Sequence, residues 1–484
     1  MRSKRSAEVA AFAATIVSSP VVVAASTATE YAAQVFAKRY GQRFNKGRPM
    51  TAPLSTFGVT RDSTGALLME KVSLAEVAAR FGTPTYVYSR AALTHAFQRL
   101  DEALKAARGG KPYLICYAVK ANSNLAVLSV FAKLGAGFDI VSGGELRRVL
   151  AAGGDARKVV FSGLGKTADE IRFALETGIK GFNIESEAEL ARINTVAASI
   201  NKRAAISLRV NPDVDAKTHP YISTGLKNNK FGIAFDRALA VYRQAAELSH
   251  IDVVGVDCHI GSQLTDDAPL LEAMTRIVGL ADQLAAEGIP IHHICPGGGV
   301  GITYSDETTI DLTRYAAALE AALATSKHAH HVELLLEPGR VLAGNAGVLL
   351  SKVEYVKPTE TKNFLIVDAA MNDLIRPSLY QAHHEIVVAA SVNSASNQSA
   401  SMRNYDVVGP VCESADVLGH ERALAASEGD LIAILSAGAY GFVMASNYNS
   451  RPRAAEVMID EAAIHLIRPR ENIDDLFATE CTLK

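Results

Sequence analysis

No two cysteines stand at redox or metal-ligand spacing in this 484-residue chain; the five, at positions 116, 258, 295, 412 and 481, are odd in number and far apart. That pattern excludes a zinc framework or a disulfide-stapled scaffold and favours a reducing compartment. A charge excess is also missing. Lys and Arg total 49 against 51 Asp and Glu, so no net field draws the chain to nucleic acid or an acidic surface. Nor does any apolar run approach the ~20 residues of a membrane span. What is present is an ordinary globular composition, 49% hydrophobic and 21% charged, over a length that suffices for two domains.

Residues 1–49 stand apart: Arg2, Lys4 and Arg5 open a stretch rich in Ala, Val, Ser and Thr. Glu8 and Ser18-Ser19-Pro20 spoil a signal peptide, and a transit segment is the alternative. The preferred reading is a poorly ordered extension ahead of Met50, with the protein in the cytoplasm; a transit segment would put it in an organelle.

From residue 113 a regular alternation begins. Strands are predicted at 113–119, 138–141, 159–161, 181–184, 205–210, 253–259, 293–295 and 333–336. Helix-like stretches lie between most of them, as at 125–134, 145–151, 168–176, 188–198, 237–248, 269–287 and 310–325. Eight such units match a (β/α)8 barrel, with an open doubly wound sheet as the rival. After Arg340 short strand-like runs predict an all-β region, at 348–356, 364–367, 385–389, 405–408, 431–435 and 456–459. The expected division is therefore a segment at 50–90 that joins the β domain, a barrel at 91–340 and a C-terminal β domain at 341–484. A Ser/Asn-rich loop is expected at 391–401.

In a barrel, chemistry collects where the strands end. Lys120 closes the apolar run Leu114–Val119. It is either a desolvated amine, lowered in pKa and nucleophilic enough for a Schiff base, or a lysine that merely snorkels out. Asp139 and Glu145 sit on the second strand and just beyond it, and His259 and Ser262 end the sixth. Gly297-Gly298-Gly299 follows the seventh and Glu337-Pro338-Gly339-Arg340 the eighth. The glycines suit either a phosphate approached by backbone N–H groups or a plain tight turn. No metal is expected, because no second ligand stands at ligand spacing from His259. The pairs His292/His293, His330/His331 and His383/His384 are expected at the surface.

Taken together, Tyr-Ala-Val-Lys-Ala-Asn (117–122), Val-Ser-Gly-Gly-Glu-Leu (141–146), His-Ile-Gly-Ser-Gln (259–263), Gly-Gly-Gly-Val-Gly (297–301) and Glu-Pro-Gly-Arg (337–340) resemble the fold-type III, pyridoxal phosphate (PLP)-dependent decarboxylases. The stretches at 211–225, 371–380, 409–414 and 437–441 resemble the branch of that family that acts on diaminopimelate. The resemblance runs from about Phe57 to Leu476.

It implies an alanine racemase-like barrel that binds PLP, joined to a β domain. By similarity Lys120 carries the cofactor and His259 stacks on its ring. Ser262, Gly297, Gly298, Gly299, Pro338, Gly339, Arg340 and Tyr440 surround it, and Glu337 faces the ring nitrogen. Arg340, Arg376 and Tyr380 receive the substrate's distal carboxylate, Tyr440 also belongs to the substrate-binding set, and Glu413 takes the distal amine. Cys412 is the proton donor, and Cys412 and Glu413 arrive from the second subunit of a homodimer. The implied reaction removes CO2 from the D-centre of meso-2,6-diaminopimelate and yields L-lysine. Two arginines would repel ornithine, whose distal end is only an ammonium. Glu337 as an electron-sink partner argues against a racemase, and Cys412 against a non-catalytic PLP carrier.

Overall fold

The computed structural model describes residues 52–215, 230–392 and 401–483. The expected N-terminal extension, residues 216–225 of one motif and most of the 391–401 loop lie outside those residues.

Eight parallel strands close into a barrel. They are Tyr113–Ala118, Gly137–Ile140, Val159–Phe161, Gly181–Ile184, Ala204–Asn211, Ile251–Asp257, His293–Cys295 and Glu333–Leu336. The eighth pairs back onto the first, Leu335 opposite Leu114, so no edge is left open. Short, mostly buried strands rich in Val, Ile and Phe account for the near-continuous apolar runs, as expected of a parallel sheet covered by helices.

Local chemistry starts the helices. Ser142 accepts from the Glu145 amide at 3.1 Å while the Glu145 carboxylate accepts from the Val141 amide at 2.6 Å. Thr167 and Glu170 form a reciprocal capping box. These turns sit at the C-terminal ends of strands, which fixes the loops that build the barrel mouth.

The β domain is a mostly antiparallel sheet. Its long central strand, Gly347–Pro358, pairs with Thr85–Ser89, Asn363–Val367 and Leu431–Ile434. Thr85–Ser89 also pairs in parallel with Ala455–Asp460, so a strand from before the barrel lies inside the sheet that follows it. Two strands, Val417–Leu424 and Ala463–Arg468, have no counterpart in the sequence reading.

A buried polar network ties the two parts together. Asn124 donates to Glu456 at 2.9 Å, and Tyr88 donates to the other oxygen of that carboxylate at 2.8 Å. Asn122 donates to the Gly438 carbonyl at 3.1 Å, and the Tyr440 amide donates to the Ala121 carbonyl at 2.8 Å. The turn that carries Lys120 is thereby fixed against the β domain.

Candidate active site at the barrel mouth

Lys120 lies in a single 3-10 turn, Val119–Ala121, at the end of the first strand. The register that sets Ala118 opposite Asp139 brings the Asp139 carboxylate to 2.7 Å from the Lys120 amine. The amine is not lowered in pKa as the sequence suggested. Burial, the largest single effect, pushes it down, but Asp139, Tyr440 and Glu337 together outweigh burial, and the net shift is upward. Asp139 is fully buried, and its second oxygen has no hydrogen-bond partner among the described residues.

Glu337 follows the eighth strand. One carboxylate oxygen accepts from Asn183 at 2.9 Å, and the same amide also reaches Ser162 at 3.0 Å. Burial raises Glu337 well above the usual carboxylate range, and Asp139 and Asp257 add to the rise. Asp257 is raised too, chiefly by burial, and its Oδ1 lacks a partner among the described residues. Asp257, Cys295 and Glu337 hold donor atoms within 4.8 Å of one another.

The glycine turn has a packing cause. A Cβ on Gly298 would lie 2.1 Å from the Glu337 carbonyl oxygen, and the Glu337 amide donates to the Gly297 carbonyl at 2.9 Å. Gly297 and Gly299 adopt φ of +81° and +99°. The Gly298 amide donates to His259 Nδ1 at 3.2 Å, so the ring proton sits on Nε2. Burial, Arg209 and Lys120 hold that imidazole well below its usual pKa, hence neutral.

Arg340 donates to Ser262 Oγ at 3.1 Å and to the Tyr304 hydroxyl at 2.5 Å, and lies 4.8 Å from the Tyr440 ring centroid. Its Nε is buried without a partner among the described residues. Gly339 packs on the lysine turn, with a Cβ there 3.0 Å from that of Ala121. Pro338 accepts from the Ala118 amide at 3.0 Å. Arg376 opens the short helix Arg376–Tyr380, and burial lowers its pKa.

A cavity of about 340 Å3 joins these groups. Lys120, His259, Ser262, Arg340, Arg376, Tyr380 and Tyr440 all line it, as do Tyr304, Glu307 and Met444, which the sequence reading missed. Cys412 and Glu413 do not line it; both are exposed. Their loop is held by Asn449, which accepts from the Cys412 amide at 3.1 Å, and by Tyr448, whose hydroxyl donates to Glu413 at 2.5 Å.

Two of the histidines expected at the surface are buried. His293 faces Ser207 at 2.7 Å inside the barrel, and burial and Lys180 lower it to about 3. His384 is fully buried beside Arg376. Both were misread because the fold, not the local pattern, buries them: His293 meets Ser207 on another strand, and His384 meets the Leu435 carbonyl 51 residues on.

The donor set suits PLP. A lysine with a side chain 38% exposed lines the cavity, where an aldehyde can reach it. The raised, buried Glu337 matches a ring N–H⁺, and Ser262, Arg340 and the glycine turn match a phosphate.

Comparison with known proteins decides the family. The family described as "Pyridoxal-dependent decarboxylase, pyridoxal binding domain" matches residues 90–344. Diaminopimelate decarboxylase of Pseudomonas aeruginosa is 57% identical over 417 residues, 86% of this chain and 97% of its own. The chain belongs to the diaminopimelate decarboxylases. The diaminopimelate decarboxylase of Vibrio cholerae is 56% identical over 87% of this chain and 97% of its own. The crystal structure of diaminopimelate decarboxylase from Helicobacter pylori complexed with L-lysine is 44% identical, with a TM-score of 0.78 over 84% of this chain and 98% of its own. That from M. jannaschii reaches a TM-score of 0.83 at 38% identity, over 89% of this chain and 99% of its own. The barrel plus β domain is the architecture of diaminopimelate decarboxylases.

Proposed function

We propose that this chain decarboxylates meso-2,6-diaminopimelate at its D-centre to give L-lysine and CO2, the closing step of lysine biosynthesis from diaminopimelate. The observation that carries this specificity is the pair of buried guanidiniums, Arg340 and Arg376, on the same cavity as Lys120.

Bound PLP supplies the electron sink that takes the pair left when CO2 departs. The protein's part is positioning and proton control. Lys120 is the residue that would hold the cofactor through its aldehyde, and the Asp139 carboxylate, 2.7 Å from the Lys120 amine, is placed to exchange a proton with it. Glu337 keeps a proton at the ring nitrogen, and buried neighbours that disfavour its own ionisation reinforce the pairing. His259, held neutral, offers a flat face to the ring without adding charge. Arg340, Arg376 and Tyr380 orient the distal carboxylate, so that the D-centre carboxylate points away from them.

Cys412 then protonates the carbon that lost CO2, and Glu413 takes the distal ammonium. Both are exposed and neither lines this chain's own cavity, which supports a homodimer in which each subunit completes the other's site. Among the described residues no helix is long and apolar enough to cross a membrane, and a cytoplasmic location is part of this proposal.

The test is release of CO2 and L-lysine from meso-diaminopimelate with and without added PLP. PLP-dependent release supports the reading; turnover of ornithine in preference to diaminopimelate would overturn it.

A further inference from the structure

Arg340 and Arg376 pose an electrostatic problem. Both are at least nine-tenths buried, and among the described residues neither makes an ion pair. Two guanidiniums out of water, without a carboxylate, are costly unless something else holds them. Besides Ser262 at Arg340, two neutral side chains do so.

His384 is the first. It is wholly buried, eight residues beyond Arg376 and past a left-handed turn at Gln381 with φ of +52°. Arg376 Nε points at His384 Nε2 at 3.3 Å, and His384 Nδ1 lies 2.8 Å from the Leu435 carbonyl oxygen. A guanidinium N–H can only donate. Nε2 therefore presents its lone pair, and the single proton sits on Nδ1, donated to Leu435. The tautomer is fixed, and the ring is neutral.

Tyr304 is the second. Its ring meets His384 edge-on, at 5.2 Å and 78°. The Arg376 carbon Cζ lies 5.1 Å from the ring centroid and that of Arg340 5.8 Å. The hydroxyl accepts from Arg340 at 2.5 Å. Its backbone is pinned in turn: the Tyr304 amide donates to Glu307 at 2.8 Å, and Asn345 donates to the Thr303 carbonyl at 2.9 Å.

We propose that His384 and Tyr304 are positioning residues that set carboxylate specificity, because they aim both guanidiniums with neutral acceptors and an aromatic face. A carboxylate in either place would fix an arginine equally well but cancel its charge. Neutral support leaves both positive charges for the incoming carboxylate. This rests on the proposed role of Arg376 and Arg340, and the test below separates the two ideas.

The probes are L-lysine, which retains the distal carboxylate, and cadaverine, the same diamine without it. Each is measured as a competitive inhibitor of the PLP-loaded enzyme. His384→Leu should weaken L-lysine roughly tenfold or more, about the loss of one charge-assisted contact. Cadaverine inhibition and the visible band of bound PLP should not change. His384→Gln, which keeps a neutral carbonyl acceptor, should restore most of the affinity; His384→Glu, which holds Arg376 but neutralises it, should not. Tyr304→Phe should show a smaller loss than Tyr304→Leu. Arg376→Leu is the control. If it leaves L-lysine inhibition unchanged, the carboxylate reading of the site itself fails. If it weakens L-lysine while both the His384→Leu and Tyr304→Leu variants do not, the positioning role alone is refuted. Equal behaviour of the Gln and Glu variants would also refute it. Should His384→Leu not fold, the Gln/Glu pair decides.

Discussion

At the scale of single residues, the Lys120–Asp139 pair shows why a strand-end pattern locates a reactive group without fixing its state. The apolar run ending in Lys120 was legible, and so was Asp139 as a strand residue. Their contact depends on a register between two strands, which no local pattern encodes. The sign of the amine's shift therefore came out reversed. Asp139→Asn should lower the pKa of Lys120 in cofactor-free protein, so more Lys120 should be acetylated by a limiting reagent at pH 8. Peptide mass spectrometry reads the labelled fraction, and no increase would mean Asp139 does not control the amine.

His293 gives a pH prediction. It is lowered from the usual 6.5 to about 3, by burial first and Lys180 second. Below pH 6.5 the unfolded chain binds a proton there that the folded chain refuses. Its contribution to stability is thus complete above 6.5 and is lost as pH falls toward 3. His293→Gln should flatten the fall in melting temperature between pH 6 and 4; an unchanged slope would assign the acid sensitivity elsewhere. Neither His293 nor His384 stood out in the sequence, because each is buried against a partner 51 to 86 residues away, Leu435 for His384 and Ser207 for His293.

At the scale of elements, the eight barrel strands were legible because each is a buried apolar run bounded by turn residues, and helices of the right period lie between. The two missed strands differ. Ala463–Arg468 has no fully buried residue, and Val417–Leu424 interrupts its pattern with exposed charges; both lie at the ends of the sheet. Thr85–Ser89 falls in the 50–90 segment that the sequence joins to the β domain, and its central place in a sheet formed mainly by later strands is a matter of topology alone.

The link between elements that most affects the site is Asn124. It caps the helix Leu125–Lys133, accepting from the Ala126 amide at 2.9 Å, and donates to buried Glu456. Asn124→Ala removes the cap and leaves the Glu456 carboxylate short of a donor. The expected loss is about 2 kcal/mol, the sum of a cap and part of a buried unsatisfied group. Denaturant unfolding would measure it. A change below about 0.5 kcal/mol, no more than an ordinary surface substitution gives, would show that the network does not tie the lysine turn to the β domain.

At the scale of the whole molecule, the proposed dimer places Lys120 and Cys412 of one site on different chains. Lys120→Ala and Cys412→Ala would each be nearly inactive alone. Mixed in equal amounts and allowed to exchange subunits, half the dimers are hybrids with one intact site each, so activity should return to about a quarter of the native value. No recovery, with exchange demonstrated by mass, would put both residues of a site on one chain. The family motifs made both residues visible in the sequence, but only their separation in the fold gives the arrangement a structural argument.

The account stands or falls on which amine holds the cofactor. Borohydride reduction of the PLP-loaded protein, followed by peptide mapping, should fix the phosphopyridoxyl mass on Lys120 alone and bleach the visible band. A label on any other lysine, or a colourless protein that gains no mass, would contradict it.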